Sequence, residues 1–252
     1  MAVNMRDQSH RCPGRQMWLR WPLRLFFRLF YGYRVRGLEH LPPEGPYLVA
    51  PNHQSYFDPF VVAITQDEGM CFMAWEALFR NRRLGRFLHW MGAFPVSLDR
   101  NDPVAIRRAM ACLRAGRRVL IFPEGQRTWD GRLQPLREGV AHLALHFKCP
   151  IVPVRIEGAW EAWPRTRRFP GLHRPITVTI EPPVLPPPER LPPAERRRAA
   201  EAMLRTLSRR LEGRGAADGE GVTEDTPPDA QRVEEEDEKA LAAVEAGERS
   251  DS

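Results

Sequence analysis

The most regular feature of the sequence is a series of short apolar segments rich in β-branched residues and bounded by turn-forming residues. Such segments are typical of buried β-strands. We expect strands at residues 33–37, 47–50, 71–74, 93–97, 118–122, 151–156 and 176–180. Helical patterns lie between several of them, near residues 58–66, 76–91, 103–115 and 136–147. This alternation predicts a single α/β domain with a mostly parallel or mixed central sheet flanked by helices on both faces.

Residues 17–31, MWLRWPLRLFFRLFY, form an apolar stretch in which arginine recurs at every fourth position. Arg20, Arg24 and Arg28 therefore fall along one face of a predicted helix. The other positions include the aromatic residues Trp18, Trp21, Phe26, Phe27 and Phe30. This composition is typical of an amphipathic helix lying in the plane of a membrane surface. The alternative interpretation is a helix packed on the domain with its arginines in water.

The same segment bears on localisation. No uncharged apolar run reaches the roughly 18 residues that a membrane-spanning helix needs. We therefore expect residues 1–32 to be a membrane-associating segment, with neither a signal peptide nor a transmembrane span. The four cysteines, at positions 12, 71, 112 and 149, are widely spaced, which favours buried thiols in a reducing compartment. The sequence thus predicts a peripheral membrane protein on the cytoplasmic face.

The C-terminal part of the chain changes character twice. After residue 181 the sequence EPPVLPPPERLPP is too rich in proline for a helix or a sheet interior and predicts an extended strap. A helix should follow, with Ala199, Met203, Leu204, Leu207 and Leu211 at helical spacing. Residues 213–252 are acidic and poor in large apolar residues, which is typical of a disordered tail. The folded domain is therefore expected to cover residues 33–212.

Charge is distributed unevenly along the chain. Residues 213–252 hold four Lys/Arg against thirteen Asp/Glu, a net charge of −9, so the total of +6 leaves +15 for residues 1–212. Such an excess suits an anionic partner, which could be a nucleic acid, an anionic membrane surface or a phosphorylated substrate. Charge alone does not choose among these three.

A histidine and an aspartate stand five positions apart in PNHQSYFDP, residues 51–59. Residues five apart in a helix point about 140° away from each other, so the two side chains meet only if His53 precedes the helix that contains Asp58. The strand and the turn formers before His53 fit that arrangement and place it where open α/β sheets carry their sites. A carboxylate beside a histidine is the usual pairing for a general base. Taken alone, however, such a spacing is more often structural than catalytic.

Two further strand ends carry polar groups suited to phosphate. In RVLIFPEGQRTWDG, residues 118–131, an apolar strand leads into a turn with Glu124, Gly125 and Arg127. Gly125 allows close approach of the backbone to a ligand, and the guanidinium of Arg127 presents a planar fork of donors. A third strand, in GAFPVSLDR, ends at Asp99 and Arg100. If these strand ends are neighbours, a base and two arginines converge at one edge of the sheet.

Competing chemistries have little support. The sequence contains no G-x-S-x-G, G-x-x-x-x-G-K or H-E-x-x-H motif, the usual marks of hydrolases, P-loop proteins and zinc proteases. Glu138, His142 and His146 are four apart and would line one helical face as candidate metal ligands. No fourth ligand follows them, and a polar helix face is the simpler interpretation, so we predict no metal site.

The stretches RNRRLGRFLHW (80–90) and WEAWPRTRRFPGLHR (160–174) combine arginine with tryptophan. They could contact nucleic acid, where arginine meets phosphate and aromatic rings stack on bases. A membrane-binding surface uses the same two residue types, with arginine at the lipid headgroups and tryptophan at the membrane interface. A solvated basic face is the third interpretation. No recognised nucleic-acid module accompanies these stretches, so we expect no nucleic-acid partner.

Four segments together resemble a known family. NHQSYFD, GAFPVSLDR, FPEGQRT and IVPVRI occur in the order and at roughly the spacing of the four motif blocks of the glycerolipid acyltransferases, whose best-known members are 1-acyl-glycerol-3-phosphate acyltransferases. The resemblance covers residues 33 to about 182. It implies an α/β domain that transfers an acyl group from a thioester to a hydroxyl, without a metal, a covalent serine or a bound cofactor.

The resemblance also implies roles for single residues. His53 would deprotonate the acceptor hydroxyl, and Asp58 would orient His53. The E-G-x-R block, here Glu124, Gly125 and Arg127, would hold the glycerol phosphate of the acceptor. Arg100 would lie beside that phosphate. Members commonly have a small hydroxyl residue where this chain has Gln126, which leaves the acceptor headgroup open.

The expected function is transfer of a fatty acyl group from acyl-CoA or acyl carrier protein to 1-acyl-glycerol-3-phosphate, also called lysophosphatidic acid, which gives phosphatidic acid in phospholipid biosynthesis. The partners would be membrane lipids and the thioester donor. Two alternatives stay open. One is an acyltransferase for another acceptor, such as a lyso-aminolipid or another lysophospholipid. The other is a non-catalytic protein that binds anionic membrane or nucleic acid.

Overall fold

A seven-stranded sheet forms the centre of the protein. In this computed structural model, residues 17–66, 70–97, 102–189 and 191–213 are described. Its strands are β1 (Arg34–Arg36), β2 (Leu48–Pro51), β3 (Met70–Trp75), β4 (Ala93–Val96), β5 (Arg118–Leu120), β6 (Ile151–Glu157) and β7 (Thr177–Ile180). Each coincides with a predicted strand to within two residues at either end, so the strand predictions are confirmed.

The strands lie in the order β1-β7-β6-β2-β5-β3-β4. From β6 to β4 all neighbours are parallel, whereas β7 pairs antiparallel with β6, and β1 pairs parallel with β7. The prediction of a mixed, mostly parallel sheet is therefore confirmed. The register pairs Leu48 with Val119 and Val49 with Leu120. Because parallel neighbours end at the same edge, the turns that follow β2 and β5 adjoin each other.

Seven α-helices accompany the sheet. They are α1 (Met17–Tyr31), α2 (Asp58–Ala63), α3 (Arg82–Trp90), α4 (Pro103–Arg114), α5 (Gly139–Phe147), α6 (Ala159–Ala162) and α7 (Pro193–Leu211) among the described residues. The predicted run 76–91 is divided into a 3₁₀ helix, Glu76–Phe79, and α3. The division falls at Asn81, whose side chain accepts hydrogen bonds from the amides of Arg83 and Leu84 and so begins a new helix.

The helices cover both faces of the sheet. Alternate residues of a strand point to opposite faces, so Val49 joins one buried apolar cluster while Leu48 and Ala50 join another. Residues of α1, α2, α3 and α6 belong to the first cluster, and those of α4, α5 and α7 belong to the second. The sandwich of two helical layers around a sheet confirms the α/β prediction.

Helix α1 is packed on the domain, as the second interpretation of its sequence expects. Phe27 and Tyr31 are buried, and Leu19 and Leu23 pack against the same cluster. Another stripe, four residues apart, is exposed: Trp21 at 72%, Leu25 at 58% and Leu29 at 66%. The helix is therefore packed on the domain and still presents an apolar face to its surroundings. Among the described residues no helix is long and apolar enough to cross a membrane.

The C-terminal region, except for residue 190, is described as far as Gly213, and this covers the predicted strap and helix. Residues 181–189 contain no regular element, and Val184 exchanges two backbone hydrogen bonds with Ile151. In α7 the buried residues are Ala200, Met203, Leu207 and Leu211. Ala200 thus replaces Ala199 as the first buried position. The acidic tail, apart from Gly213, and the first sixteen residues lie outside the described part of the chain.

Candidate active site

His53 and Asp58 form a hydrogen-bonded pair at the carboxyl end of β2. His53 lies in the turn after the strand, and Asp58 is the first residue of α2. The Nδ1 atom of His53 is 2.9 Å from Oδ2 of Asp58. The turn brings the two side chains together in the way that the spacing requires, because His53 precedes the helix and is not part of it.

Asp58 is held in place by several hydrogen-bond donors. The side chain is fully buried, and Oδ2 also accepts hydrogen bonds from the backbone amides of Gln54 and Ser55, each at 2.6 Å. Oδ2 thus takes part in three hydrogen bonds, which fix the orientation of the carboxylate. The carboxylate in turn favours the tautomer of His53 that carries its proton on Nδ1. The lone pair then lies on Nε2, which has no hydrogen-bond partner among the described residues.

The segment after β5 contacts both the imidazole ring and the backbone of His53. The ring stacks on Phe122, with ring centroids 3.7 Å apart and an angle of 19° between the planes. The carbonyl oxygen of His53 accepts a hydrogen bond from the amide of Thr128 at 2.9 Å. Its side chain is 17% exposed. The general-base candidate is therefore fixed in orientation while one edge remains accessible.

Glu124 links the two turns beneath the histidine. Its Oε1 accepts a hydrogen bond from the amide of His53 at 2.5 Å, and Oε2 accepts one from the amide of Gln134 at 2.8 Å. Burial raises the pKa of Glu124 to about 7, against the effect of these two hydrogen bonds. The carboxylate is only 4% exposed. These contacts join the two turns, and the role in holding the glycerol phosphate that the resemblance implies for the E-G-x-R block stays a prediction.

Arg127 lies against the turn that contains His53, and we call this position the mouth of the site. Its guanidinium carbon is 3.7 Å from the ring centroid of Tyr56, in the turn that contains His53. Its Nη1 atom is buried and has no hydrogen-bond partner among the described residues. A buried guanidinium nitrogen without an acceptor is costly, so this atom is suited to an anionic ligand.

Gly125 has a positive φ of +72°, and a Cβ there would overlap the guanidinium of Arg137. The close approach that the sequence predicted at Gly125 is thus filled by a side chain of the protein. Arg137 is in turn anchored by its amide, which donates to the carbonyl oxygen of Pro123 at 2.8 Å. Gly125 is required both for the backbone conformation and for the position of Arg137.

Comparisons with known proteins show the family to which the chain belongs. The sequence model of the acyltransferase family matches residues 32–157, half of the chain. The chain belongs to the acyltransferase family. A relative named 1-acyl-sn-glycerol-3-phosphate acyltransferase, from Bacillus subtilis, is 31% identical over 137 residues, which are 54% of this chain and 68% of that protein. A chloroplastic protein of the same name from Brassica napus is 30% identical over 160 residues, 62% of this chain and 46% of that protein.

A solved structure supports the fold of this family member. The 1-acyl-sn-glycerophosphate acyltransferase of Thermotoga maritima superposes with a TM-score of 0.60, over 83% of this chain and 87% of that one. The two sequences are 23% identical, so this likeness bears on the fold alone. The chain spans about half to two thirds of the length of the two curated relatives described above.

Other predictions about this family member have different outcomes. Arg100 lies outside the described residues, so its place at the site stays a prediction. Gln126 is exposed between Gly125 and Arg127. Nε2 of His142 lies 3.1 Å from Oε2 of Glu138. Among the described residues no group of three or more His, Cys, Asp or Glu side chains could hold a metal ion.

Sequence reasoning missed one arginine of the site. The segment 163–165 lies beside the turn that contains His53, joined by a β-bridge between Ser55 and Pro164. Arg165 donates a hydrogen bond from Nη1 to the carbonyl oxygen of Arg127 at 2.9 Å. It belongs to the basic stretch 160–174, whose composition indicates a nucleic-acid contact, a membrane contact or a solvated face. The combination of arginine and aromatic residues favours a binding role for this stretch. The sequence does not show that the stretch pairs with the turn that contains Ser55.

Proposed function

We propose that this protein transfers a fatty acyl group from acyl-CoA or acyl carrier protein to the free hydroxyl of 1-acyl-glycerol-3-phosphate, giving phosphatidic acid. The observation that carries the proposal is the pair of His53 and Asp58, with the open Nε2 of His53 in a site whose mouth is lined by Arg127. Relatives that are named for this reaction support it.

In the proposed reaction His53 is the general base. Nε2 takes the proton of the acceptor hydroxyl as the oxygen attacks the carbonyl carbon of the thioester. The new carbon–oxygen bond forms, the tetrahedral intermediate collapses, and the carbon–sulfur bond breaks. The imidazolium of His53 then returns its proton to the departing thiolate. The products are the ester and the free thiol, and the base is restored.

Asp58 acts as a positioning residue in this scheme. Its carboxylate fixes the tautomer of His53 and stabilises the imidazolium while it exists. The two backbone amides on the same oxygen keep the carboxylate in place throughout. The proposed chemistry uses no metal and no bound cofactor, since the thioester supplies the activated acyl group and His53 moves the proton.

Arg127, by the same proposal, binds the phosphate of the acceptor through its buried, unpartnered Nη1. We assign Glu124 a supporting role, because its side chain is buried and both its oxygens already accept backbone amides. Arg100 stays a candidate second contact.

Gln126 supports a second candidate function. It is exposed at the site, where members of the family commonly have a small hydroxyl residue. The acceptor would then be another lysophospholipid or a lyso-aminolipid. Acceptor competition with purified lipids distinguishes the two candidates, since the preferred acceptor gives the highest kcat/KM.

The test of the proposed reaction is thiol release from long-chain acyl-CoA by the purified protein, with and without 1-acyl-glycerol-3-phosphate, and with acyl carrier protein thioester as a second donor. We expect release that depends on the acceptor, with phosphatidic acid as the lipid product, and its loss in folded His53→Ala. Salt-sensitive binding to nucleic acid, without thiol release from either donor, would instead favour the non-catalytic alternative.

We also propose that α1 holds the protein at the cytoplasmic face of a membrane. The exposed stripe of Trp21, Leu25 and Leu29 is apolar, and the adjoining Arg28 is exposed beside it. Apolar side chains enter the acyl region while arginine meets anionic headgroups. In this proposal residues 1–32 associate with the membrane, residues 33–212 carry the chemistry, and residues 213–252 form an acidic tail.

The membrane proposal predicts a specific loss of binding. Leu25→Glu combined with Leu29→Glu should reduce flotation with vesicles containing phosphatidylglycerol by at least about tenfold, because two carboxylates replace apolar groups at the interface. Ala202→Glu, at an exposed position of α7 on the other face of the sheet, is the control and should float like the wild type. Undiminished flotation of the folded double variant would contradict a membrane role for α1.

A further inference from the structure

Arg165 is held beside the turn that contains His53 by the backbone that precedes it. The amide of Tyr56 and the hydroxyl of Ser55 both donate to the carbonyl oxygen of Trp163, at 3.3 and 2.8 Å. Together with the bridge between Ser55 and Pro164, these bonds fix the segment before Arg165 against the turn that contains His53. The position of Arg165 is thus tied to that of the catalytic turn.

The side chain of Arg165 is also fixed in orientation. Nη1 donates to the carbonyl oxygen of Arg127, and the guanidinium carbon lies 3.3 Å from the ring centroid of Trp129. Stacking on an aromatic ring orients the plane of a guanidinium without using its donors. Nε and Nη2 are therefore available to a ligand beside Arg127.

The local charge is unbalanced. Neither Arg127 nor Arg165 makes an ion pair with a described carboxylate. Burial lowers the pKa of Arg165, and the positive charge of Arg127 lowers it further. The carboxylates of the neighbouring turn are used elsewhere: Asp130 accepts from the hydroxyl of Thr128, and Glu124 accepts from two backbone amides. Two adjacent cations without a counterion are stabilised by a doubly charged anion.

We propose that Arg165 and Arg127 together bind the phosphate monoester of the acceptor, and that Arg165 makes the site select a phosphate monoester over a phosphodiester. The inference rests on the proposed acyl transfer to 1-acyl-glycerol-3-phosphate. A monoester carries a charge of about −1.5 to −2 at neutral pH and has three terminal oxygens. A phosphodiester has one charge and two such oxygens, so it gains less from a second guanidinium.

The test compares Arg165→Gln with Arg165→Lys, using Arg168→Gln as a matched control. Arg168 is exposed three residues further along the same segment, and its guanidinium carbon lies 5.4 Å from the ring centroid of Phe169. Acceptor KM, donor KM and kcat are measured with 1-acyl-glycerol-3-phosphate and with 1-acyl-glycerophosphoglycerol. Thermal unfolding shows that each variant is folded.

We expect Arg165→Gln to raise KM for the monoester about tenfold to hundredfold, the effect of losing hydrogen bonds to a charged group. KM for the diester and for acyl-CoA should change less than about threefold, so the preference for the monoester falls. Arg165→Lys should recover part of it, and Arg168→Gln should match the wild type. Equal losses with both acceptors would indicate a structural role and overturn the proposal, and so would a rise confined to the KM of acyl-CoA.

A binding measurement separates this proposal from the proposed reaction. Calorimetric titration of His53→Ala and of His53→Ala with Arg165→Gln, using a short-chain 1-acyl-glycerol-3-phosphate, needs no turnover. Weaker binding by the double variant supports the role of Arg165 even if the wild type shows no acyl transfer. Equal binding by the two proteins overturns that role even if the reaction itself is established.

Discussion

The arginines of α7 and those at the mouth of the active site have opposite surroundings. On α7, Arg197 and Arg205 lie 3.4 and 3.9 Å from the carboxylate of Glu201, each four residues away. These side chains are largely exposed. Such pairs neutralise charge locally and contribute little to stability, because water already solvates both partners.

At the mouth of the active site, the arginines lack carboxylate partners among the described residues. We call Arg127 and Arg165 the rim arginines. They lie on the aromatic rings of Tyr56 and Trp129, with one hydrogen bond from Arg165 to a backbone carbonyl. The carboxylates of Asp58 and Glu124, in the same site, are buried and accept hydrogen bonds from backbone amides.

This difference shows where the positive charge of the chain can act. An arginine beside a glutamate has its charge balanced, whereas a rim arginine leaves positive charge and hydrogen-bond donors for a ligand. The composition of the chain does not distinguish the two sets. The placement of carboxylates does, and it supports our proposal that the anionic ligand binds at the edge of the sheet where His53 lies.

Among substitutions of the two sets of arginines, the largest expected effect on acceptor binding is at Arg127. Arg127→Ala should raise the acceptor KM by about two to three orders of magnitude, because a phosphate would lose hydrogen bonds from a partly buried guanidinium. The KM for acyl-CoA should stay nearly unchanged. Steady-state kinetics with each substrate varied in turn measures both constants. Arg205→Ala on α7 is the control, and equal effects on the two substrates would rule out the role of Arg127.

The next effect concerns the buried carboxylate of the site. Glu124 has a pKa of about 7 in the folded protein against an ordinary value of 4.5, so the folded state holds this proton more tightly. The stabilisation is present below the ordinary pKa and is lost as the pH rises through about 7. Relative to Glu124→Gln, the wild type should lose about 3 kcal/mol of unfolding free energy across that interval.

Urea unfolding of both proteins over this pH range checks the prediction. The Gln variant has no proton to titrate at this position, so its curve supplies the contribution of all other groups. If unfolding free energy depends on pH in the same way for the wild type and Glu124→Gln, burial does not raise the pKa of Glu124.

The smallest effect is expected on α7. Glu201→Gln removes the ion pairs that Glu201 makes with Arg197 and Arg205, and the unfolding free energy should change by less than about 0.5 kcal/mol because these pairs are exposed. Acceptor KM should not change. Chemical unfolding and kinetics measure the two quantities. A rise in KM comparable to that of Arg127→Ala would mean that charge acts over the whole surface and that the distinction between the two sets is wrong.

Much of this arrangement could be predicted from the sequence, because it depends on local patterns. Apolar runs indicate the strands, and Pro51 and Asn52 indicate the turn that allows His53 to meet Asp58. The order of the strands is a tertiary property, and nothing local shows that β7 runs antiparallel to β6.

The parts that were missed depend on long-range contacts. Arg165 reaches the site through a bridge between residues more than a hundred positions apart. The hydrogen bonds from the amides of His53 and Gln134 to Glu124 are also non-local, and the E-G-x-R segment does not reveal them. Ala200 replaced Ala199 because both are small apolar residues and only packing against the sheet chooses between them.

The central claim is that His53 performs the chemistry while Arg127 binds the acceptor. The single-turnover rate of acyl transfer, at saturating concentrations of both substrates, tests it most directly in wild type, His53→Ala and Arg127→Ala. The account predicts that His53→Ala loses about two to four orders of magnitude in rate, whereas Arg127→Ala stays within about tenfold of the wild type once it is saturated. A His53→Ala protein that keeps the wild-type rate would contradict the account.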